Sequence, residues 1–156
     1  MREILFRGKN IGNGEWVEGS LVTRRYNDTG EVFEAFIVVD AYPQTGVMNF
    51  GTTPVLISPS DGLCFRVDKD TICQFTGLLD KNGNKIWEND ILCNCGTKYN
   101  PLCVVKLGEH STNLGFYCDW KYEDIPFRND ILFWAKNRVM EVIGNVFDNA
   151  NLLERE

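Results

Sequence analysis

The sequence predicts a mainly β protein: a small barrel or a twisted pair of sheets built from two related β-turn elements, with a minor helix near the C-terminus. Three observations carry that prediction. First, one pattern occurs twice: an aromatic residue two places before a glycine, then Asn-Gly beginning five places after that glycine. The copies are Phe6-Arg7-Gly8 with Asn13-Gly14, and Phe75-Thr76-Gly77 with Asn82-Gly83. Gly77 stands 69 residues after Gly8, and Asn82 stands 69 after Asn13. Second, aromatic and β-branched residues accompany 14 glycines, a mixture suited to pleated strands and turns. Third, short apolar runs are separated by Gly, Pro, Asn and Asp along most of the chain, as in folds of many short strands.

Each copy of the repeat reads as a hairpin. Asn-Gly favours a type I′ turn, which needs positive φ at both central residues. Ile4-Leu5-Phe6 and Ile72-Cys73-Gln74-Phe75 lead in; Trp16-Val17 and Ile86-Trp87 lead out, each followed by Glu. Phe6 beside Trp16 and Phe75 beside Trp87 are the expected cross-strand aromatic pairs.

The remaining elements follow in order. Asn27-Asp28-Thr29-Gly30 is a turn, and the apolar run Phe36-Ile37-Val38-Val39 is a strand buried on both faces. Residues 41–53 hold Pro43, Gly46 and Gly51 and read as a long loop of the functional or mobile kind. Val55-Leu56-Ile57 is a short strand, Ser58 to Gly62 a turn, and Leu63 to Val67 a further strand. After the central motif, Ile91-Leu92-Cys93, Cys103 to Leu107, Leu114 to Trp120 and Met140 to Phe147 read as strands. Arg128 to Lys136 fits a short helix or a strand equally well, and Asn149 caps a helical turn over Ala150 to Glu154.

At 156 residues the chain has the length of one domain spanning 1–156, with two β subunits of structure at about 1–66 and 67–156. No apolar run has the length of a membrane span, and the N-terminus, entering a strand directly, does not read as a signal peptide. The expected compartment is the cytoplasm, where the six cysteines are mostly reduced thiols. In that compartment the sequon Asn27-Asp28-Thr29 carries no meaning. The net charge of −6 makes nucleic acid an unlikely partner. Five acids (Asp28, Glu31, Glu34, Asp40, Asp61) and no Lys or Arg occupy 27–65, which raises an acidic inhibitor or mimic as an alternative.

Candidate chemistries are weak. Cys93, Cys95, Cys103 and Cys118 share one stretch with His110, but structural zinc wants two Cys pairs at wider spacing, so core or turn cysteines are favoured. Asp80-Lys81-Asn82-Gly83-Asn84 begins like a calcium loop, yet its sixth and twelfth places hold Lys85 and Ile91 instead of Gly and Glu. Glu88 with Asp90 is a carboxylate pair capable of acid–base work, and also an ordinary turn pair. His110 lacks a nucleophile elbow. Arg24-Arg25-Tyr26 with Trp16 could stack on a nucleotide, against the acidic balance of the whole.

Three blocks resemble the YopX protein family of phages and prophages: Met1 to Lys9 with Asn13 to Val17; Gln74 to Ile91; and Glu141 to Val146 with Asn149 and Leu152-Leu153. Similarity is looser over 27–65 and 97–138. One departure is Asn89, where the family usually carries Gly, a sign of a positive-φ position that Asn also tolerates. The resemblance implies a mainly β protein of mobile DNA acting inside a bacterial cell, and no established reaction. No catalytic, cofactor-binding or metal residue is therefore assigned, and no cofactor. A non-enzymatic binding or adaptor protein is favoured, its partner a host or phage protein or a second copy of itself. The alternatives are a carboxylate enzyme or binder acting on nucleotides or nucleic acid, and the acidic mimic.

Overall fold

The computed structural model describes residues 3–39, 64–110, 113–121 and 128–154. The loop expected at 41–53, the strand at 55–57 and the turn at 58–62 lie outside them. The chain divides into two compact units at the Ile72–Cys73 junction.

In the first unit, β1 (Phe6–Lys9), β2 (Trp16–Arg25), β3 (Val32–Val38) and β4 (Cys64–Val67) run antiparallel in the order β4-β3-β2-β1. The period of two puts Ala35, Ile37 and Val67 into a core with Phe6, Val17 and Leu21. Gly19 sits opposite Phe6, where a Cβ would fall on the Val38 carbonyl oxygen. A 3-10 turn at Lys69–Thr71 closes the end of the sheet. There the Thr71 hydroxyl accepts from Lys9 N at 2.9 Å and donates to Asp68 O at 2.7 Å.

The second unit holds a hairpin, β5 (Cys73–Leu79) with β6 (Lys85–Trp87). Its four-stranded sheet joins β7 (Asp90–Cys93), β8 (Leu102–His110), β9 (Asn113–Trp120) and β10 (Glu141–Asn145) in the order β10-β7-β8-β9. Ile86, Leu92, Cys103, Val105, Cys118, Ile131 and Met140 form its core. Helix α1 (Ile131–Lys136) resolves the ambiguity at 128–136, because Asp130 accepts from Leu132 N and Phe133 N and so caps the first turn. The indole N–H groups of Trp120 and Trp134 both donate to Arg128 O, holding the helix on β9. The mainly β expectation is met, with open antiparallel ladders in place of a closed barrel among the described residues.

Both Asn-Gly sites do turn hairpins, by a different geometry from type I′. Gly14 (φ 72°) and Gly83 (φ 87°) are left-handed, while Asn13 and Asn82 keep negative φ. The loops are longer than two residues. Gly14 N donates to Asn10 O at 2.8 Å and Asn10 N to Glu15 O at 2.9 Å, and the Tyr26–Glu31 loop repeats that pair of bonds. A right-handed turn ended by one left-handed glycine suits this loop length, and Asn13 spends its side chain on Glu15 N instead. Phe75 and Trp87 pair across the hairpin with ring centroids 5.4 Å apart, as expected. Phe6 pairs with Gly19 and Trp16 with Lys9, so the matching aromatic pair does not form in the first copy. The 3-10 turn Ala150–Leu153 follows Asn149, whose side chain accepts from Asn145 N instead of capping it.

Asn89, at the turn between β6 and β7, has φ 64°. Its N–H donates to Val105 O and its carbonyl accepts from Val146 N, so the turn is tied to two strands. Asn89→Gly is expected to leave stability within about 0.5 kcal/mol of the parent. Asn89→Ala, with a Cβ and no compensating side chain, is expected to cost about 1–2 kcal/mol. Urea unfolding of the two variants measures the difference.

Candidate functional site

The carboxylates singled out by sequence do not converge. Asp90 is buried and its Oδ2 accepts from Trp87 N at 2.8 Å, clamping its own turn. Glu88 is half-buried and reaches Gln74 N at 3.3 Å. Burial pushes its pKa above the ordinary value, with the Gln74 hydrogen bond and the Lys106 charge opposing. His110 stacks on Tyr117 at 4.8 Å near the tip of the β8–β9 hairpin. No group of three or more His, Cys, Asp or Glu able to hold a metal occurs among the described residues.

Asp80 has a structural part that explains the failed calcium pattern. Its Oδ1 accepts from Asn82 N at 2.8 Å and Asn84 N at 2.9 Å, and its Oδ2 from Asn84 Nδ2 and Val142 N, both at 3.1 Å. Burial alone would raise its pKa, but the hydrogen bonds outweigh burial and hold the carboxyl below the usual range.

Among the cysteines, Cys103 and Cys118 lie together in the core, fully buried. Burial first, and then the adjoining Cys118, push the Cys103 thiol well above its ordinary pKa. Cys93 and Cys95 are joined as a disulfide, a departure from the expectation of mostly reduced thiols confined to this pair; Cys64, Cys73, Cys103 and Cys118 are free. Cys93 ends β7 and is buried, whereas Cys95 is exposed in the loop that follows. A bridge closing so short a loop restrains the unfolded chain by only about 1.6 kcal/mol, roughly half the effect of a fifteen-residue loop.

The basic doublet is already engaged. Arg24 pairs with Glu34 at 2.9 Å, Arg25 donates to Gly30 O, and Tyr26 packs on Phe33. Trp16 meets the Arg7 guanidinium at 4.5 Å instead, so the doublet and Trp16 do not form one stacking site. Of the acids at 27–65, Glu34 lies between Arg24 and Arg66, while Asp40 and Asp61 fall outside the described residues.

The feature that sequence reasoning missed is a groove in the second unit. Two adjoining clefts of about 480 and 660 Å3 share Gly77, Leu78 and Leu132. The first is walled by Leu107 and Phe116, and the second runs past Leu79 and Ala135 to Lys136 and Arg138. Leu79, Leu107 and Leu132 are each 44–50% exposed, a contiguous apolar lining open to water. Neither cleft is lined by Glu88 or Asp90. Lys81, at the same end, is paired with Glu141. Lys136 and Arg138 are exposed and have no ion pair among the described residues. Arg138 has φ 51°, a left-handed conformation at the end of α1 where glycine is the usual occupant. No spacing rule finds this groove, because its leucines come from β5, β8 and α1. The basic end of α1, Lys136-Asn137-Arg138, was its one visible sign.

The fold defines a class, an antiparallel β protein with one short α-helix among its described residues. The sequence matches the YopX protein family over residues 5–154, and the chain belongs to that family. A solved structure similar to it is the crystal structure of protein EF1440 from Enterococcus faecalis, at 22% identity and TM-score 0.50, covering 98% of this chain and 99% of that one. That likeness speaks to the fold alone. No curated protein matches the chain. No described helix is long and apolar enough to cross a membrane.

Asp80→Asn is expected to lower stability by roughly 3 kcal/mol at pH 7, since an amide cannot accept all the donors that the carboxylate takes. The folded pKa lies below the unfolded value of about 3.9, so the carboxylate's contribution is present above that pH and is lost as pH falls through the folded pKa. The gap between parent and variant, measured by urea unfolding across pH, is expected to narrow in that acid window.

Proposed function

We propose that this chain is a non-enzymatic binding or adaptor protein of the bacterial cytoplasm, encoded in mobile DNA, whose groove takes a segment of a host or phage protein. The observation that carries this reading is the open apolar groove ending at two unpaired cations. Exposed leucines beside a cation pair fit an extended segment with apolar side chains followed by acidic ones. Arg138 supports the assignment separately, because an arginine held in a left-handed conformation costs about 1 kcal/mol that glycine would not, and such outliers gather at functional sites. Nucleic acid is disfavoured by the net charge of −6.

A second reading rests on Glu88, whose burial raises its pKa as in a general acid. Glu88 reaches its own hairpin partner strand instead of a lined cavity, which leaves the carboxylate enzyme the weaker account.

The test is affinity capture from lysate of the encoding bacterium, with and without nuclease, comparing the parent with Leu132→Asp and Arg138→Gly. A nuclease-resistant protein held by the parent and weakened at least about tenfold by Leu132→Asp is expected, a loss of roughly 1.4 kcal/mol or more. Arg138→Gly is expected to weaken capture while leaving the protein at least as stable as the parent. Recovery unaffected by either change would overturn the groove assignment. A nucleotide-dependent activity abolished by Glu88→Gln would replace the binding reading with the enzymatic one.

A further inference from the structure

We propose that Cys93 and Cys95 form a reversible redox site, which exchanges with thiols through Cys95 and uses Cys93 as the resolving sulfur. The proposal is independent of the groove and stands on the placement of four cysteines and one loop.

The bridge has little structural work to do. It spans a single intervening residue, so it constrains the unfolded chain only slightly. The loop it enters is closed by other means: Asn94 N donates to Pro101 O at 3.1 Å, Gly96 N to the Asn100 side-chain oxygen at 2.9 Å, and the Thr97 hydroxyl to Asn94 O at 3.1 Å. On the strand side, Cys93 is paired in register with Leu102 on β8 and Glu141 on β10. Opening the bridge therefore leaves both ends of the segment anchored. A bond that the fold does not need, with one of its two cysteines exposed, matches exposed labile disulfides better than buried structural ones.

The two sulfurs are unequal. Cys93 is 2% exposed, while Cys95 is exposed in the loop that follows β7. An incoming thiol therefore reaches Cys95 and not Cys93. Cys103 and Cys118 supply an internal contrast: two adjacent thiols, both fully buried, with no access for a soluble reagent.

The exchange balances with a low-molecular-weight thiol as reductant. A glutathione thiolate attacks Cys95 Sγ, the Cys93–Cys95 bond breaks, and the electron pair passes to Cys93 Sγ, which takes up a proton. A second glutathione thiolate then attacks the glutathione sulfur of the mixed disulfide and releases the Cys95 thiolate. The sum is one protein disulfide and two glutathione thiols giving one protein dithiol and glutathione disulfide. In the reverse direction, Cys95 takes up glutathione and Cys93 displaces it.

The experiment treats the native full-length chain with glutathione at graded ratios of thiol to disulfide. It then quenches with iodoacetamide under native conditions, unfolds the protein, labels the remaining thiols with N-ethylmaleimide and maps both labels by mass spectrometry. The expected result is a two-electron transition in which Cys95 takes the native label and buried Cys93 the unfolded-state label on the reduced side only, while buried Cys64, Cys73, Cys103 and Cys118 take the unfolded-state label on both sides. Circular dichroism is expected to be the same on either side of the transition. Cys93→Ser is expected to accumulate a glutathione adduct on Cys95, for want of the resolving sulfur. Cys95→Ser is expected to give no adduct on Cys93. Should either variant fail to fold, the parent's alkylation map decides by itself. The proposal is overturned if Cys93 and Cys95 are alkylated at every ratio, if neither is released by glutathione at any ratio, or if reduction unfolds the protein.

Discussion

The second unit depends on one buried carboxylate. Asp80 follows the last residue of β5, and its two oxygens gather the turn that leads into β6 and the first part of β10, 62 residues away in sequence. Backbone bonds run beside it, with Lys81 N donating to Met140 O and Asp80 N to Asn84 O. Four donors on one anion offset its desolvation, which is why a buried charge without a buried cation is tolerable here.

Both candidate sites descend from that attachment. The basic end of the groove is built from Leu79, the Asp80–Gly83 turn and the end of α1, so Asp80 sets one wall. Its grip on Val142 also fixes β10, which pairs with β7 and lies opposite Cys93. The rigid parts are thus a hairpin and a four-stranded sheet held by shared polar bonds and a common core. The exposed leucines, the unpaired cations and the Cys95 loop are what those parts present to solvent, the arrangement expected when function sits on loops and rims of a fixed scaffold.

Much of the fold was legible because turns and strands leave local marks. The repeated Asn-Gly sites located two hairpins, the Phe75–Trp87 pair followed from their spacing, and Asn89 showed a left-handed position through a departure from the family pattern. Loop geometry was not legible: Asn-Gly suits more than one hairpin class, and what decided here was the longer loop closed by Asn10 with Glu15. The Phe6–Trp16 pairing failed because Trp16 stands three places after Asn13, whereas Trp87 stands five after Asn82, so Trp16 falls opposite Lys9 and Gly19 opposite Phe6. Asp80 read only as a turn former because its partner Val142 is remote in sequence. The groove was invisible because an exposed leucine is ordinary taken singly, and only the fold brings Leu79, Leu107 and Leu132 together. The Cys93–Cys95 spacing is too close for a zinc pair and does not announce a bridge, because a bond between the two depends on the chain turning sharply after β7.

The most direct test of this account is a nuclear magnetic resonance titration that follows the Asp80 carboxyl carbon and the Val142 amide proton in one sample. If Asp80 holds β10 to the hairpin, the carboxyl titrates below the ordinary value of about 3.9 and the Val142 amide shifts with the same midpoint. If Asp80 titrates at or above that value, or if the Val142 amide is indifferent to it, the carboxylate is not the tie between hairpin and sheet.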